Sequence, residues 1–254
     1  MSISGDGRII EWSMKKGLEF TELKQLKRET NPNQKDVYAG SETDKKSGGM
    51  TFINTGGLSI DFPPQSEGGN YFVATEDCSV HKCQTSFSER YSNNYYGHTG
   101  PIYRVRCNPF WDSVKCPIFL TCSYDWTVRV WHDKDSSEKQ VCQQISIPLK
   151  EQVNDICWSP LTSSVFASVA NDGRIEVWDL HRDPLNPRFC HFDPDTEAED
   201  GKDRTSRTVV KFSKSAPVLM AGTADGRVCV YRSHGLEHGP VSDEDQINRL
   251  INAI

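Results

Sequence analysis

One short phrase recurs five times along the chain, and it limits the folds that the chain can adopt. Each copy starts with an aspartate and continues with alternating apolar and polar residues, and four copies end six positions later on an aromatic side chain. The copies occupy residues 6–12, 77–83, 125–131, 172–178 and 225–231. The aspartates are 71, 48, 47 and 53 residues apart, and the first interval is stretched by a polar insertion. This spacing predicts a repeat protein whose units pack against their neighbours.

Two more apolar runs precede most copies of the phrase. The first set lies at 58–63, 102–109, 153–160 and 208–213, and the second at 71–75, 118–123, 165–170 and 218–223. Their period-two alternation, their β-branched residues and the Pro, Gly, Asn and Asp residues between them predict β-strands. Three strands and a polar fourth segment in a repeat of about 40–45 residues are typical of a β-propeller blade.

Two dipeptides make these repeats resemble WD40 repeats. Gly97 and His98 supply the Gly-His element, and Trp178 and Asp179 supply the Trp-Asp element, although the other copies lack one or both. The resemblance is therefore carried by the set of repeats more than by any single copy.

The WD40 resemblance implies a buried polar network in the third blade. In this network His98 bonds Asp125 in the turn, and Thr121 or Ser123 completes it together with the indole N–H of Trp131. A buried carboxylate and a buried indole need hydrogen-bond partners, so we expect these residues to be structural and not catalytic. The predicted network residues are His98, Thr121, Ser123, Asp125, Trp131, Asp172, Trp178 and Asp225.

Counting the repeats predicts an incomplete ring. Four blades have three strands each, at about 56–90, 100–145, 152–190 and 206–232, and part of another blade lies at the start. Because WD40 rings usually close with seven blades, we expect an all-β WD40 β-propeller of which this chain is the C-terminal part. The expected division is a truncated blade at 1–26, a flexible polar insertion at 27–50, WD40 blades at 51–240 and a short amphipathic helix at 241–254.

The C-terminal segment carries helix signals. Ser242 and Asp245 are spaced as in a capping box. One apolar stripe follows, formed by Ile247, Leu250, Ile251 and Ile254. Such a helix either packs under the last blade or is offered to a partner groove or a neighbouring subunit. An acidic loop at 193–203 is either a plain solvated insertion or a contact for a basic partner.

Composition and motifs argue against several function classes. The net charge of −6 disfavours nucleic-acid binding, and no apolar run approaches the length that spans a membrane. The nine cysteines contain no CxxC pair and are interpreted as small apolar residues in a reducing compartment. The P-loop, nucleophile-elbow, zinc-protease and dinucleotide motifs are absent. We expect no enzyme activity, no cofactor and no metal site.

Exposed residues at the turns are the candidates for binding a partner. Equivalent positions at the starts of first strands and in the third-strand turns come together on one propeller face. The candidate interface residues are Tyr103, Tyr124, Trp126, Asn154 and Asn171. Aromatic side chains contribute a large share of interface energy, although Trp126 could instead pack against the neighbouring blade.

Longer phrases are more specific than generic WD40 signals. Residues 97–110, 119–131 and 158–180 resemble the dynein intermediate chain family, and within it the axonemal inner-arm intermediate chains of the fourth type. The resemblance covers about residues 1–26 and 52–232. By this resemblance, we expect the N-terminal light-chain-binding region of that family and its early blades to be missing from these residues.

The resemblance implies a non-catalytic scaffold of an axonemal dynein motor. The propeller would bind the dynein heavy chain, and ATP hydrolysis would belong to that other chain. Dynein light chains and other intermediate chains would be further partners, with the light-chain site in the missing region. The implied location is the cytoplasm and cytoskeleton, in the axoneme of a cilium or flagellum whose motility it supports. The alternative is a generic WD40 adaptor, such as a substrate receptor of a ubiquitin ligase or a trafficking coat.

Overall fold

The computed structural model describes residues 1–15, 18–28, 53–64, 69–133, 151–192, 205–233 and 242–254, and the backbone of 142–145. Within these residues the chain forms five antiparallel sheets and one helix. Sheet 1 contains β1 (Ser2–Ile3), β2 (Arg8–Ser13) and β3 (Glu19–Gln25). Sheet 2 contains β4 (Gly57–Asp61), β5 (Asn70–Thr75), β6 (Ser79–Gln84) and β7 (Asn93–Tyr96). Sheet 3 contains β8 (Ile102–Cys107), β9 (Ile118–Ser123), β10 (Val128–His132) and β11 (Cys142–Ile145). Sheet 4 contains β12 (Val153–Trp158), β13 (Val165–Ala170), β14 (Ile175–Asp179) and β15 (Phe189–His191). Sheet 5 contains β16 (Arg207–Phe212), β17 (Val218–Thr223) and β18 (Val228–Arg232), and helix α1 is Asp243–Ile251.

The expected all-β architecture with a short C-terminal helix is confirmed. Each sheet is a meander in which neighbouring strands are consecutive in the sequence. Strands β9 and β13 are buried along their whole length because a sheet lies on each side of them. Burial on both faces explains why these two strands read as nearly continuous apolar runs.

The recurring aspartates begin the turns that lead into β2, β6, β10, β14 and β18. In four of the five turns the aspartate side chain accepts a hydrogen bond from the backbone N–H two residues later. The residue directly after the aspartate has a positive φ in all five turns: Gly7 (83°), Cys78 (63°), Trp126 (67°), Gly173 (82°) and Gly226 (88°). Glycine adopts this left-handed conformation without strain, which accounts for the Asp-Gly pairs in the sequence.

Apolar clusters fill the space between successive sheets. The third residue after each turn aspartate shows that these clusters recur at equivalent positions of the sheets. Ile9, Val80, Val128 and Ile175 occupy this position in sheets 1 to 4, are at most 4% exposed, and belong to clusters shared with the following sheet. The equivalent Val228 in sheet 5 is 70% exposed, because no described sheet follows it.

Both ends of the row of sheets therefore present apolar faces. Sheet 5 exposes Val209, Met220, Val228 and Val230, and sheet 1 exposes Trp12 and Phe20, whose rings lie 5.9 Å apart. Neither face is covered by another described sheet, as expected for part of a ring.

Side chains on the first strands join neighbouring sheets. Asp61 accepts a hydrogen bond from the backbone N–H of Cys107 at 2.7 Å. Asp155 accepts from the N–H of Val210 at 3.0 Å and from Nε of Arg104 at 3.2 Å, so it contacts the sheets on both of its sides. These bonds fix the relative position of the sheets near their inner strands.

Helix α1 begins where the capping signals indicate, since the Ser242 side chain accepts a hydrogen bond from the N–H of Asp245. The possibility that it packs under the last blade is wrong for the described structure. Leu250 is instead buried in the cluster between sheets 3 and 4, and Ile247 and Ile254 pack against the same cluster. The helix therefore covers the junction between sheets 3 and 4, although it follows sheet 5 in the sequence.

Two expectations from the sequence fall mainly outside the described residues. The interior of the polar insertion, residues 29–52, and the acidic loop, which lies within 193–204, are not among them. Among the described helices, none has the length and hydropathy needed to cross a membrane.

Candidate interaction surface

The polar network predicted for the third blade is centred on His98. Its Nδ1 lies 2.8 Å from Oδ2 of Asp125, and its Nε2 lies 2.6 Å from Oγ1 of Thr121. The indole Nε1 of Trp131 donates to the same threonine hydroxyl at 2.7 Å. One proton arrangement satisfies all of these groups: His98 donates to Asp125, and Thr121 accepts from Trp131 and donates to His98.

Burial and hydrogen bonding set the charges in this network. Burial lowers the pKa of His98, although Asp125 opposes the shift, so the imidazole is neutral near pH 7. Burial alone would raise the pKa of Asp125, but hydrogen bonds from His98, Thr127 and the backbone of Thr99 outweigh it and hold the pKa well below its usual range. The pair therefore combines an ionised carboxylate with a neutral imidazole. Both side chains form hydrogen bonds that hold the turn in place.

The remaining predicted network residues lie in separate local clusters. Ser123 bonds the carbonyl of Gly100 at 2.9 Å and accepts from the N–H of Asp125. The indole of Trp178 donates to Ser168 at 3.3 Å. Asp172 pairs with Arg174 at 2.7 Å, and Asp225 binds Thr223 and Arg227 within its own turn. No described histidine takes part in these two aspartate clusters.

Tyr124 and Trp126 flank Asp125 at the tip of the turn between β9 and β10. Their side chains are 54% and 47% exposed. Trp126 adopts a φ of 67°, in the left-handed region that costs a residue with a Cβ about 1–2 kcal/mol. A strained backbone that presents a large aromatic ring to solvent is a common feature of binding sites.

The other three candidate residues lie at the same end of the sheets but make structural contacts. Tyr103 donates to the side chain of Gln152 at 3.4 Å, and the N–H of Asn171 donates to the backbone carbonyl of Gln152 at 3.0 Å. Asn154 donates to the carbonyl of Arg207 in sheet 5 at 2.7 Å. The structure thus places all five candidate residues on one side and leaves Tyr124 and Trp126 as its exposed aromatic pair.

Sequence reasoning missed a second buried histidine. In sheet 2, the ring of His81 stacks on Tyr91 with centroids 3.9 Å apart, and its nitrogens lie 2.7 Å from Asn94 Oδ1 and 3.2 Å from Ser79 Oγ. Lys24 of sheet 1 lies over the same tyrosine ring at 4.4 Å. The sequence carried no distinct signal for it, because the position four places after the turn aspartate is also polar in sheets 3 and 4, where it holds Arg129 and Glu176.

Among the described residues, no group of three or more His, Cys, Asp or Glu side chains could hold a metal ion. Burial raises the pKa of Glu176 to about 7, but this carboxyl pairs at 3.5 Å with Arg174, which directly precedes the same strand. This surface consists of a hydrogen-bonded turn that exposes the aromatic side chains of Tyr124 and Trp126.

Comparison with known proteins shows which proteins this chain is similar to. The family described as "WD domain, G-beta repeat" matches residues 89–132 and 142–179. Dynein axonemal intermediate chain 4 of Mus musculus is 35% identical over 256 residues, which span 100% of this chain and 28% of that protein. The chain is a homologue of the dynein intermediate chains. The resemblance predicted from the sequence is thereby confirmed.

Other dynein intermediate chains give the same result. The Homo sapiens protein with the same name is 37% identical over 91% of this chain and 25% of its own length. Dynein intermediate chain 2, ciliary, of Heliocidaris crassispina is 26% identical over 98% of this chain and 34% of its own length. This dynein intermediate chain homologue thus spans about a quarter to two fifths of the length of the curated relatives that it matches.

A solved structure supports the fold alone. The crystal structure of the computationally designed Ika4 protein superposes with a TM-score of 0.50 at 18% sequence identity, covering 71% of this chain and 92% of that one. That neighbour is propeller-like, in agreement with the arrangement of the five sheets.

Proposed function

We propose that this protein is a non-catalytic subunit of an axonemal dynein complex, which binds a dynein heavy chain through the exposed pair Tyr124 and Trp126. The observation that carries the proposal is its similarity, over the whole chain, to intermediate chains that are named for axonemal, ciliary and flagellar dyneins. The corresponding location is the axoneme of a cilium or flagellum. Dynein light chains and other intermediate chains are further proposed partners.

Three properties of the Tyr124 and Trp126 pair support this site. The two side chains supply large apolar area next to hydroxyl and indole groups, a combination that is enriched in binding hot spots. The network of His98, Asp125 and Thr121 holds the turn from below, so little conformational entropy is lost on binding. At this position of the turn only Trp126 carries a ring, since the other four turns have three glycines and Cys78 there.

The test is affinity purification of the tagged full-length protein from ciliated cells, with quantification of co-purifying chains by mass spectrometry. The site variant is Tyr124→Ala with Trp126→Gly, because glycine fits the positive φ and leaves the turn unstrained. The matched control is Leu185→Ala with Phe189→Ala, which removes two exposed apolar side chains, one from the β14–β15 connection and one from β15. We expect the site variant to lose heavy chain by at least about tenfold, as for two hot-spot aromatics, and the control to retain it.

Two other outcomes have distinct meanings. Recovery of ubiquitin-ligase or coat subunits, with no heavy chain on the wild-type protein, would contradict the dynein assignment and favour a generic WD40 adaptor. Equal heavy chain on the wild-type protein and the site variant would retain the dynein role and show that the contact lies elsewhere.

A further inference from the structure

A groove lies at the opposite end of the sheets from Tyr124 and Trp126. Strand β9 connects the two places, since Ile118 lines the groove and Ser123 precedes Tyr124, which puts them roughly 17 Å apart. The groove has a cavity volume of about 1060 Å³ and lies between the β8–β9 loop and helix α1. This position separates it from the proposed heavy-chain contact.

The first wall of the groove is the loop at 109–117. It contributes Phe110, Trp111 and Val114, of which Val114 is 87% exposed. Oδ1 of Asp112 accepts hydrogen bonds from the N–H groups of Val114 at 2.8 Å and Lys115 at 2.9 Å, so the loop is held in one conformation. An exposed valine on a rigid loop is a suitable apolar contact for a partner.

The second wall is the apolar stripe of α1, formed by Ile247, Ile251 and Ile254. Ile251 is 42% exposed. The helix is fixed from its other side, because Gln246 bonds the backbone and side chain of Ser163 at 2.9 and 2.6 Å.

Arg249 adds to this fixation. It pairs with Asp179 at 3.2 Å and bonds Ser164 at 3.0 Å. Polar contacts therefore hold the helix in place, and Ile251 remains exposed along the groove.

The charged side chains around the groove indicate which kind of partner it can bind. Among the described residues, three carboxylates and two ammonium groups line the groove, namely Asp112, Asp133, Asp243, Lys82 and Lys115. Lys82 pairs with Asp133 at 2.6 Å, and Lys115 lies 3.7 Å from Glu244 on α1. With Glu244 counted, the described part of the rim has an excess of two negative charges, which correspond to Asp112 and Asp243. Backbone hydrogen bonds lower the pKa of Asp112 and keep it ionised.

Backbone chemistry distinguishes a helix from an extended peptide. Among the described residues, five prolines line the groove: Pro63, Pro64, Pro109, Pro117 and Pro160. Proline has no backbone N–H, so these positions cannot donate hydrogen bonds to an added β-strand. A helix satisfies its own backbone and needs only side-chain contacts from the groove.

We propose that this groove binds an amphipathic helix of a partner protein, with its apolar face against Val114 and Ile251 and with basic residues beside Asp112 and Asp243. Recognition by an apolar face with flanking charges is an established way for a groove to select a helix. The two walls are preorganised, which reduces the entropic cost of binding.

The test uses two synthetic helical peptides of about 18 residues with the same apolar face of leucines. One has lysines on its polar face and the other has glutamates. Each is labelled with a fluorophore and titrated with the whole protein at low ionic strength, and binding is followed by fluorescence anisotropy. The groove variant is Val114→Lys with Ile251→Lys, and the control variant is Leu185→Lys with Phe189→Lys, which makes the same change of charge outside the groove.

We expect the lysine peptide to bind the wild-type protein and the control variant equally, and the groove variant at least tenfold more weakly. The glutamate peptide should bind the wild-type protein at least tenfold more weakly than the lysine peptide. Equal weakening by both variants would show non-specific attraction to an acidic protein and would overturn the proposal, as would equal affinity for the two peptides or no saturable binding. A wild-type dimer in sedimentation that the groove variant dissociates would mean that a second copy occupies the groove, and would overturn it as well.

Discussion

The hydroxyl of Thr121 lies 2.6 Å from Nε2 of His98, and this hydrogen bond ties the middle strand of sheet 3 to the connection that arrives from sheet 2. The same hydroxyl accepts the indole N–H of Trp131. The Thr121 hydroxyl thus serves as the hydrogen-bond partner of both His98 and Trp131. Its removal is therefore a sensitive test of the network.

We predict that Thr121→Val lowers the free energy of unfolding by about 1–3 kcal/mol, because the isosteric side chain leaves His98 and Trp131 buried without this partner. Thr121→Ser keeps the hydroxyl and should lose clearly less. Urea denaturation of the three proteins measures the difference. Equal losses for valine and serine would show that packing of the methyl group, and not the hydroxyl, matters at this position.

The left-handed turns allow backbone strain to be separated from steric clash. Gly226 has a φ of 88° and open space around it, since a Cβ added there would meet no atom within 4 Å. A Cβ added at Gly7 (φ 83°) would instead lie 2.3 Å from the carbonyl oxygen of Thr55. We expect Gly226→Ala to cost about 1–2 kcal/mol from strain alone, and Gly7→Ala to cost more. Thermal or urea unfolding measures both variants, and an equal cost at the two positions would contradict the argument.

His81 should make stability depend on pH. Burial lowers its pKa from 6.5 to about 4, with a small opposing effect of the Asn94 hydrogen bond. The folded state disfavours protonation of His81. The stability that depends on the neutral imidazole is therefore fully present above pH 6.5 and is lost as the pH falls from 6.5 towards 4. The total loss is about 3 kcal/mol.

The matched variant for this prediction is His81→Phe, which keeps an aromatic ring next to Tyr91 and cannot titrate. It should lose a constant amount of stability from the missing hydrogen bonds to Asn94 and Ser79. Its free energy of unfolding should fall less steeply between pH 6.5 and 4 than that of the wild-type protein. Parallel pH profiles would mean that other groups account for the acid sensitivity.

Equivalent valines in sheets 3 and 5 should respond differently to the same substitution. Val128 is fully buried against sheet 4, whereas Val228 is 70% exposed. In the 254-residue chain, Val128→Thr should cost about 1–3 kcal/mol, because it replaces a buried methyl group with a buried hydroxyl of nearly the same size. Val228→Thr should change the free energy of unfolding by less than about 0.5 kcal/mol. Denaturation of both variants tests this, and a large loss from Val228→Thr would show that the outer face of sheet 5 is covered.

The local parts of the structure were predictable from the sequence because they depend on neighbours along the chain. Alternating apolar residues predicted the strands, and the Asp-Gly pairs predicted the tight turns in which Gly7, Gly173 and Gly226 adopt a positive φ. The capping signal at Ser242 and Asp245 predicted where α1 begins. The candidate residues at the turns were found because repeats place equivalent positions on the same side.

Only the tertiary structure decided how these parts are used. It showed that Thr121 and not Ser123 links His98 to Trp131, that Trp126 adopts a left-handed conformation without being a glycine, and that α1 covers sheets 3 and 4. Each of these depends on contacts between residues far apart in the sequence, and periodicity records which residues are apolar but not which surface they meet. Sequence thus determined the repeating unit and its turns, whereas packing between units determined which side chains are buried, which are strained and which remain exposed for a partner.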